Sequence, residues 1–432
     1  MSTQVHIMNF FKLALIGCFC MAQPAGAESL MDVYKHLHAN PELSNMENET
    51  ANYLADKMDN LGFEVHRGFG GTGVVSVLKN GPGKTIMVRA DMDGLPVLET
   101  TGLSFASKVV KKDRFGDLYP VMHACGHDVH MTTFLGTAIE MINNQDKWSG
   151  TLIMILQPAE EISHGAKDML KYGLFEKFPV PEYNLALHVN SAMPAGTVGI
   201  TSGYALANVD SVDITVKGIG GHGAYPQTTK DPIVLASQIV LALQTIVARE
   251  VDAQDSAVVT VGSIHGGAKH NIIGEQVKLQ LTVRSYSDET RNMLLNSIRR
   301  IAENMGRVAG LPIDKLPVVE LQNEYTPATF NDPKLSSKAI KFMSEVIGNE
   351  NVLSTPPVMG GEDFGRYGRT SEKVPGLIYW LGAADPVEFE NARQEGRQMP
   401  SLHSPFFKPN STIAIPVGVK TMTKTVTSLF NE

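Results

Sequence analysis

Apolar residues recur at helical spacing over residues 30–61, after which the pattern shortens into brief runs. Residues 74–78 predict a strand, and residues 84–90 predict a buried strand ending at Asp91. A helix-like stretch opens in the segment 123–130 and runs through Met141. Residues 151–156 predict another buried strand, with Gln157-Pro158-Ala159-Glu160-Glu161 just beyond it, and residues 185–189 a third that ends in His188. Chemistry-bearing residues at the carboxyl ends of several strands are what an open α/β sheet produces.

Around Asp210 the pattern changes. Residues 212–216 alternate like a half-exposed strand, a glycine-rich loop spans 218–223, and a helix follows over 232–249. Strands over 257–264 and 276–286 and a helix over 288–309 complete two strand–helix units, predicting a small α+β insert of roughly 105 residues. The expected organisation is a larger α/β domain over 28–205 and 318–432, interrupted by a smaller α+β domain over 206–317.

Composition narrows the class. The chain has 432 residues, 43% hydrophobic and 19% charged, ordinary for a soluble globular protein of two domains. Net charge is −8 with no long basic or acidic run, which argues against a nucleic-acid partner or a membrane-surface patch. The first 27 residues stand apart: Lys12 precedes an apolar run over 13–22, and Ala25-Gly26-Ala27 offers a small-residue cleavage site. This is the pattern of a secretory leader cleaved after Ala27, and it predicts a periplasmic or secreted protein with no membrane anchor. Cleavage ahead of Cys18, as in a lipoprotein, is the alternative. Cys18 and Cys20 leave with the leader, so Cys125 becomes the single thiol and no internal disulfide can form. A lone thiol in an oxidising compartment calls for an occupant, and a metal ion would be one.

Residues 123–130 read His-Ala-Cys-Gly-His-Asp-Val-His. A thiolate among imidazoles suits zinc, manganese, cobalt or nickel better than calcium or magnesium. Glu160 and Glu161 are adjacent, so their side chains diverge. One can bind an ion while the other takes the proton of a water whose pKa that ion lowers. Asp91 and Asp93 follow a strand and are suited to bind metal or to orient a histidine ligand. His188 and His403 are single histidines whose weight comes from lying where the other clusters converge. In the insert, His222 sits in a glycine-flanked turn, and Asn271 and Arg284 accompany the later strands. Together they suit an oxyanion and a substrate carboxylate, the planar fork of arginine matching the latter.

Taken as a set, Arg-Ala-Asp-Met-Asp-Gly-Leu-Pro, His-Ala-Cys-Gly-His-Asp, Gln-Pro-Ala-Glu-Glu, Gly-Gly-His-Gly-Ala-Tyr-Pro, Gly-Gly-Glu-Asp-Phe and Leu-His-Ser-Pro resembles one group of metal-dependent amidohydrolases. The group includes hippurate hydrolases, bacterial N-acyl-amino-acid hydrolases and plant hydrolases of auxin–amino-acid conjugates, related to aminoacylases and carboxypeptidases. The motifs follow the family order from Asp32 to Pro405. The resemblance implies a catalytic domain with a mixed central sheet flanked by helices, and an inserted α+β dimerisation or lid domain. It implies Cys125, His127, Glu161, His188 and His403 as ligands of two divalent ions, with Cys125 bridging them. Glu160 becomes the general base, and Asp93 the aspartate behind a histidine ligand. His222, Asn271 and Arg284 become substrate contacts, in a homodimer whose interface the insert forms. The implied reaction is hydrolysis of an N-acyl or N-aroyl amino acid. A dipeptidase or carboxypeptidase is the second reading, and an inactive metal-binding relative the third. Intact Glu160 argues against the last. The chain departs from the family pattern where residues 109–120 are inserted ahead of the metal octet, where Gln227 replaces histidine, and where Leu281 replaces glycine.

Overall fold

In the computed structural model, which describes residues 28–323 and 325–432, the apolar runs of the larger domain assemble into one eight-stranded sheet. The expected leader, its cleavage point at Ala27 and the alternative at Cys18 lie outside the described residues. Across the sheet the strands are Glu64–Arg67, Val74–Asn80, Gly150–Gln157, Thr85–Asp91, Tyr183–Pro194, Gly376–Ala384, Val198–Ile200 and Val352–Ser354. The middle four run parallel and their outer neighbours pair antiparallel, so the sheet is mixed. Parallel central strands are covered on both faces, which is why they read as unbroken apolar runs. Val88, Ala90, Leu152, Met154 and Leu185 face a core shared with the helices Leu30–Ala39, His127–Asn143 and Ser411–Phe430. Met87, Ile153, Ile155 and Ala186 face the opposite core, with Met169, Phe364 and Tyr367.

Two features of this sheet position the chemistry. The helix His127–Asn143 is buried from His127 through Ala138, so its N-terminus lies inside the protein. Gly126 precedes it at φ +78°, and a Cβ there would stand 2.5 Å from Val189 Cγ2. Only glycine meets both conditions, and its absence of a side chain lets Cys125 and His127 sit against the strand Tyr183–Pro194. That strand is longer than expected. Asn190 pairs with Gly382 and Pro194 with Ala384 on either side of a bulge, so His188 lies mid-strand and not at a strand end. Polar Asn190 and Ser191 break the apolar run although pairing resumes beyond them at Pro194.

The insert has its own antiparallel sheet, ordered Ala257–Gly266, Gln276–Ser285, Asn208–Lys217, Val318–Leu321. The helices Pro232–Arg249 and Asp288–Val308 pack on it through a separate core that includes Leu235, Ile239, Leu243, Leu294, Ile298 and Leu279. Its limits differ from the expected 206–317 at both ends. Leu206 pairs with Thr329 outside the insert, whereas Val318–Leu321 pairs with Asn208–Lys217 inside it. A four-residue edge strand that is mostly exposed carries too little periodicity to be assigned from its sequence. Val209 and Thr326 exchange both backbone hydrogen bonds (2.9 and 3.0 Å), so the chain enters and leaves the insert side by side. Helix Pro232–Arg249 combines a buried stripe with exposed Ile233, Val234 and Leu241. Among the described residues it is the one helix long and apolar enough to cross a membrane, with a mean hydropathy of 1.6.

Candidate metal centre

The five residues expected to bind metal meet at the carboxyl-end side of the parallel strands. Cys125 Sγ lies 3.5 Å from His188 Nε2 and 3.3 Å from His403 Nε2. Glu161 stands opposite, with Oε1 3.8 Å from His127 Nε2 and Oε2 3.6 Å from His403 Nε2. Cys125, His127 and His188 hold three donor atoms within 4.8 Å of one another, and so do Cys125, Glu161 and His403. The two groups share the thiol, as a two-ion site with a bridging cysteine requires.

Hydrogen bonding separates ligand histidines from structural ones. His188 Nδ1 is 2.8 Å from the Val189 carbonyl, which assigns the proton to Nδ1 and leaves Nε2 as a lone-pair donor facing Cys125. His130 is spent on both sides: Nδ1 donates to Asp91 Oδ1 at 2.6 Å, and Nε2 accepts the Val189 N–H at 2.9 Å. It is a strut, not a ligand. His127 Nδ1 faces Asp93 Oδ1 at 3.3 Å, whereas His127 Nε2 and Glu161 Oε1 are buried with no hydrogen-bond partner. A buried unsatisfied polar atom costs about 1–3 kcal/mol, so two in one cluster point to an occupant. The donor set of one sulfur, three imidazole nitrogens and a carboxylate fits divalent transition-metal ions.

Electrostatics agree with that fit. Burial, then Glu161 and Glu160, hold the Cys125 thiol well above its ordinary pKa, and burial pushes Glu161 up to about 8. Burial alone would lower His127, but Asp91 and Asp93 raise it to about 10. Burial holds His188 and His403 below the ordinary histidine range, so both offer neutral imidazoles. Divalent ions would displace the protons of Cys125, Glu161 and His127, since ligand thiols, imidazoles and carboxylates bind in deprotonated form.

Glu160 and Glu161 owe their placement to carboxylates beneath them. Asp93 accepts the backbone N–H of Glu160 at 3.2 Å and of Glu161 at 3.1 Å, while Glu47 accepts that of Ala159 at 2.8 Å. Three successive amides are thus pinned, which also holds Ala159 at φ +52°. Asp93 is itself fixed by the Ser44 hydroxyl at 2.6 Å. Glu160 is held well above the usual carboxylate range by burial, then by Glu362 and Glu161.

Other residues of the site were not expected. Arg89, fully buried, donates to Asp91 (2.7 Å), Glu362 (2.8 Å), Asp363 (3.2 Å) and Gln157 (2.9 Å), tying the ends of two strands to the Gly360–Asp363 turn. His38 lies between Asp128 (2.7 Å) and Glu99 (3.0 Å), so Asp128 of the metal octet serves a buried ion pair. His123, also of the octet, is buried away from every donor group, and burial lowers it to about 4. Of the octet's five polar groups only Cys125 and His127 face the cluster.

The insert's candidates stay apart from the cluster within the chain. His222 is exposed in a short strand pair in which it opposes Ile272, and its Nδ1 accepts the Ala224 N–H at 3.0 Å. Asn271 is its neighbour, accepting the Gly223 N–H through its carbonyl at 2.9 Å. Arg284 is half-buried and donates through Nη1 to the Met359 carbonyl at 2.6 Å, beside the Gly360-Gly361-Glu362 turn.

Residues 87–427 match the peptidase family M20/M25/M40. The protein belongs to that family. It is therefore a metal-dependent hydrolase of amide bonds. Among its M20-family relatives, thermostable carboxypeptidase 2 of Saccharolobus solfataricus is 36% identical over 357 residues, covering 82% of this chain and 85% of that protein. N-acetyldiaminopimelate deacetylase of Lactobacillus acidophilus is 35% identical over 365 residues, covering 83% and 90%. The YXEP protein of Bacillus subtilis, described as a dinuclear metal binding peptidase of the M20 family, superposes with a TM-score of 0.74 at 28% identity, over 93% of this chain and 98% of that one.

Proposed function

We propose that this M20-family protein hydrolyses the amide of an N-acyl or N-aroyl amino acid, releasing a carboxylic acid and the free amino acid. The observation that carries the reading is the shared-thiol donor cluster with a buried carboxylate, Glu160, held against it by its backbone. Two relatives support it from their names, one a carboxypeptidase and the other an N-acetyldiaminopimelate deacetylase.

Cys125, His127, His188, Glu161 and His403 would hold two divalent ions, which supply the Lewis acidity that acidifies a water and polarises the scissile carbonyl. Glu160 takes the proton of the attacking water and delivers it to the leaving amine nitrogen. Asp93 holds the His127 ring in place. Arg284 and Asn271 receive the carboxylate of the amino-acid half, and His222 donates to the oxyanion of the tetrahedral intermediate.

His222 does this, in our reading, from a second subunit. The exposed apolar face of Pro232–Arg249 and the unpaired edge of Ala257–Gly266 support a homodimer formed by the insert.

A panel of N-acetyl and N-benzoyl amino acids, dipeptides and longer peptides, assayed with zinc, manganese, cobalt and nickel, tests the substrate class. We expect N-acyl amino acids to be turned over fastest. Release of amino acids from peptides alone would favour the carboxypeptidase reading, which the S. solfataricus relative motivates. Cys125→Ala should lose metal and nearly all activity with every substrate.

A further inference from the structure

Beside Glu161 a cleft of about 410 Å³ opens that none of the assigned roles uses. That volume lies within the range of small-ligand sites. Its walls come from three loops of the larger domain and from the short hairpin of Val110–Lys112 and Leu118–Pro120. Leu43, Met46, Leu95, Pro96, Phe115 and Ile162 make it largely apolar, and Glu161 lines it as well. The hairpin is the inserted segment ahead of the metal octet, and its tip holds Arg114 and Phe115 over the cleft.

The tip has a defined charge. Asp113 lies on the wall too, but its carboxylate accepts the backbone N–H groups of Phe115 (2.8 Å) and Asp117 (2.9 Å) and so builds the turn. Arg114 lies over the Phe115 ring at 4.9 Å and pairs with no carboxylate among the described residues. Phe115 is 76% exposed, an unusual position for a phenyl ring on a turn that its own backbone already stabilises. A pocket lined by a candidate metal ligand, apolar side chains and a guanidinium that pairs with no carboxylate among the described residues has a definite complement.

We propose that this cleft receives the acyl half of the substrate, and that the acyl group has an aryl or extended apolar body ending in a carboxylate read by Arg114. The inference rests on the amidohydrolase reading and adds the class of acid released. Phe115, Leu95 and Met46 enclose the body. The Arg114 fork pairs with the terminal carboxylate, while Arg284 is left for the amino-acid half.

The test compares N-acetyl, N-benzoyl and N-(4-carboxybenzoyl) derivatives of one amino acid on the metal-loaded protein. Calorimetric binding of benzene-1,4-dicarboxylate and of benzoate runs in parallel. Wild type should rank carboxybenzoyl above benzoyl above acetyl in kcat/KM. Arg114→Gln should lower the carboxybenzoyl-to-benzoyl ratio roughly tenfold to a hundredfold, as expected for a charge-assisted hydrogen bond. Phe115→Ala should lower the benzoyl-to-acetyl ratio. The same Arg114 substitution should weaken the dicarboxylate and not benzoate in calorimetry, which reads the pocket without turnover. Ratios unmoved by both substitutions, with N-acyl substrates hydrolysed, would overturn the acyl pocket and leave the amidohydrolase reading intact. Turnover of peptides alone would instead sink the amidohydrolase reading. The calorimetry would then decide the pocket by itself: equal dicarboxylate affinity in wild type and Arg114→Gln would reject it.

Discussion

Glu160 and Glu161 are neighbours with opposite surroundings, and they should fail in opposite ways. Glu161 shares space with His127, Cys125 and His403, so Glu161→Gln should lower metal content by elemental analysis. Glu160→Gln should keep its metal and lose about 10²–10⁴-fold in kcat, the usual cost of removing a general base. The reverse pattern of metal loss would exchange their roles. Asp93 touches both, through the two amides and the His127 ring. Asp93→Asn should therefore weaken metal affinity about 10–100-fold, the range for a residue that orients a ligand. A change in kcat with unaltered metal affinity would limit Asp93 to shaping the turn.

Among the elements, the helix His127–Asn143 is anchored at its start by the pair of Asp128 with His38 on the helix Leu30–Ala39. Burial alone would lower the pKa of His38, but Asp128 and Glu99 raise it to about 10 from an ordinary 6.5. A pKa raised by folding means stabilisation that is complete below pH 6.5 and fades as pH climbs through about 10. His38→Gln leaves two buried carboxylates uncompensated and should cost about 3–5 kcal/mol at neutral pH. Chemical denaturation between pH 6 and 10 should show wild type and variant converging as pH rises. A constant gap would mean that His38 acts by packing and not by charge.

How much of this was legible in the sequence follows from range. Cys125, His127, Glu160 and Glu161 stood out because a metal site needs rare residue types in close succession. The turn geometry at Gly126 belonged to the same short segment. His38, Glu99 and Arg89 gave no such signal, since each finds its partners across sheet and helix packing, up to 274 residues away for Arg89 and Asp363. A buried charge amid apolar periodicity reads as a blemish until its partner is seen. The continuation of the His188 strand beyond Val189 and the edge strand Val318–Leu321 were missed for a related reason. Both are held by ladder hydrogen bonds, which depend on the neighbour and not on the residue's own polarity.

For the molecule as a whole, the dimer proposal makes a distinctive prediction. His222→Ala and Glu160→Gln should each be nearly inactive, because losing one oxyanion donor costs about 10²–10³ in kcat. Subunit exchange between the two variants would place an intact Glu160 opposite an intact His222. Statistical pairing predicts that roughly a quarter of wild-type activity returns, from one restored site in about half of the dimers. Absence of recovery despite demonstrated exchange would confine His222 to its own chain. Export is tested separately, by the mass of the mature protein: a chain starting at Glu28 agrees with cleavage after Ala27.

The reciprocal bonds between Val209 and Thr326 bear on how such a chain folds. Bringing together the ends of a flexible loop of about a hundred residues costs about 4 kcal/mol of closure entropy. Here the insert's own sheet delivers those ends side by side, because Asn208–Lys217 and Val318–Leu321 are adjacent in it. Once the insert has folded, the larger domain meets no long loop, only a tight turn. The residues of the eight-stranded sheet on either side then become near neighbours along the effective chain. The metal centre, which draws Cys125 from before the insert and His403 from after it, then assembles across a shorter effective chain.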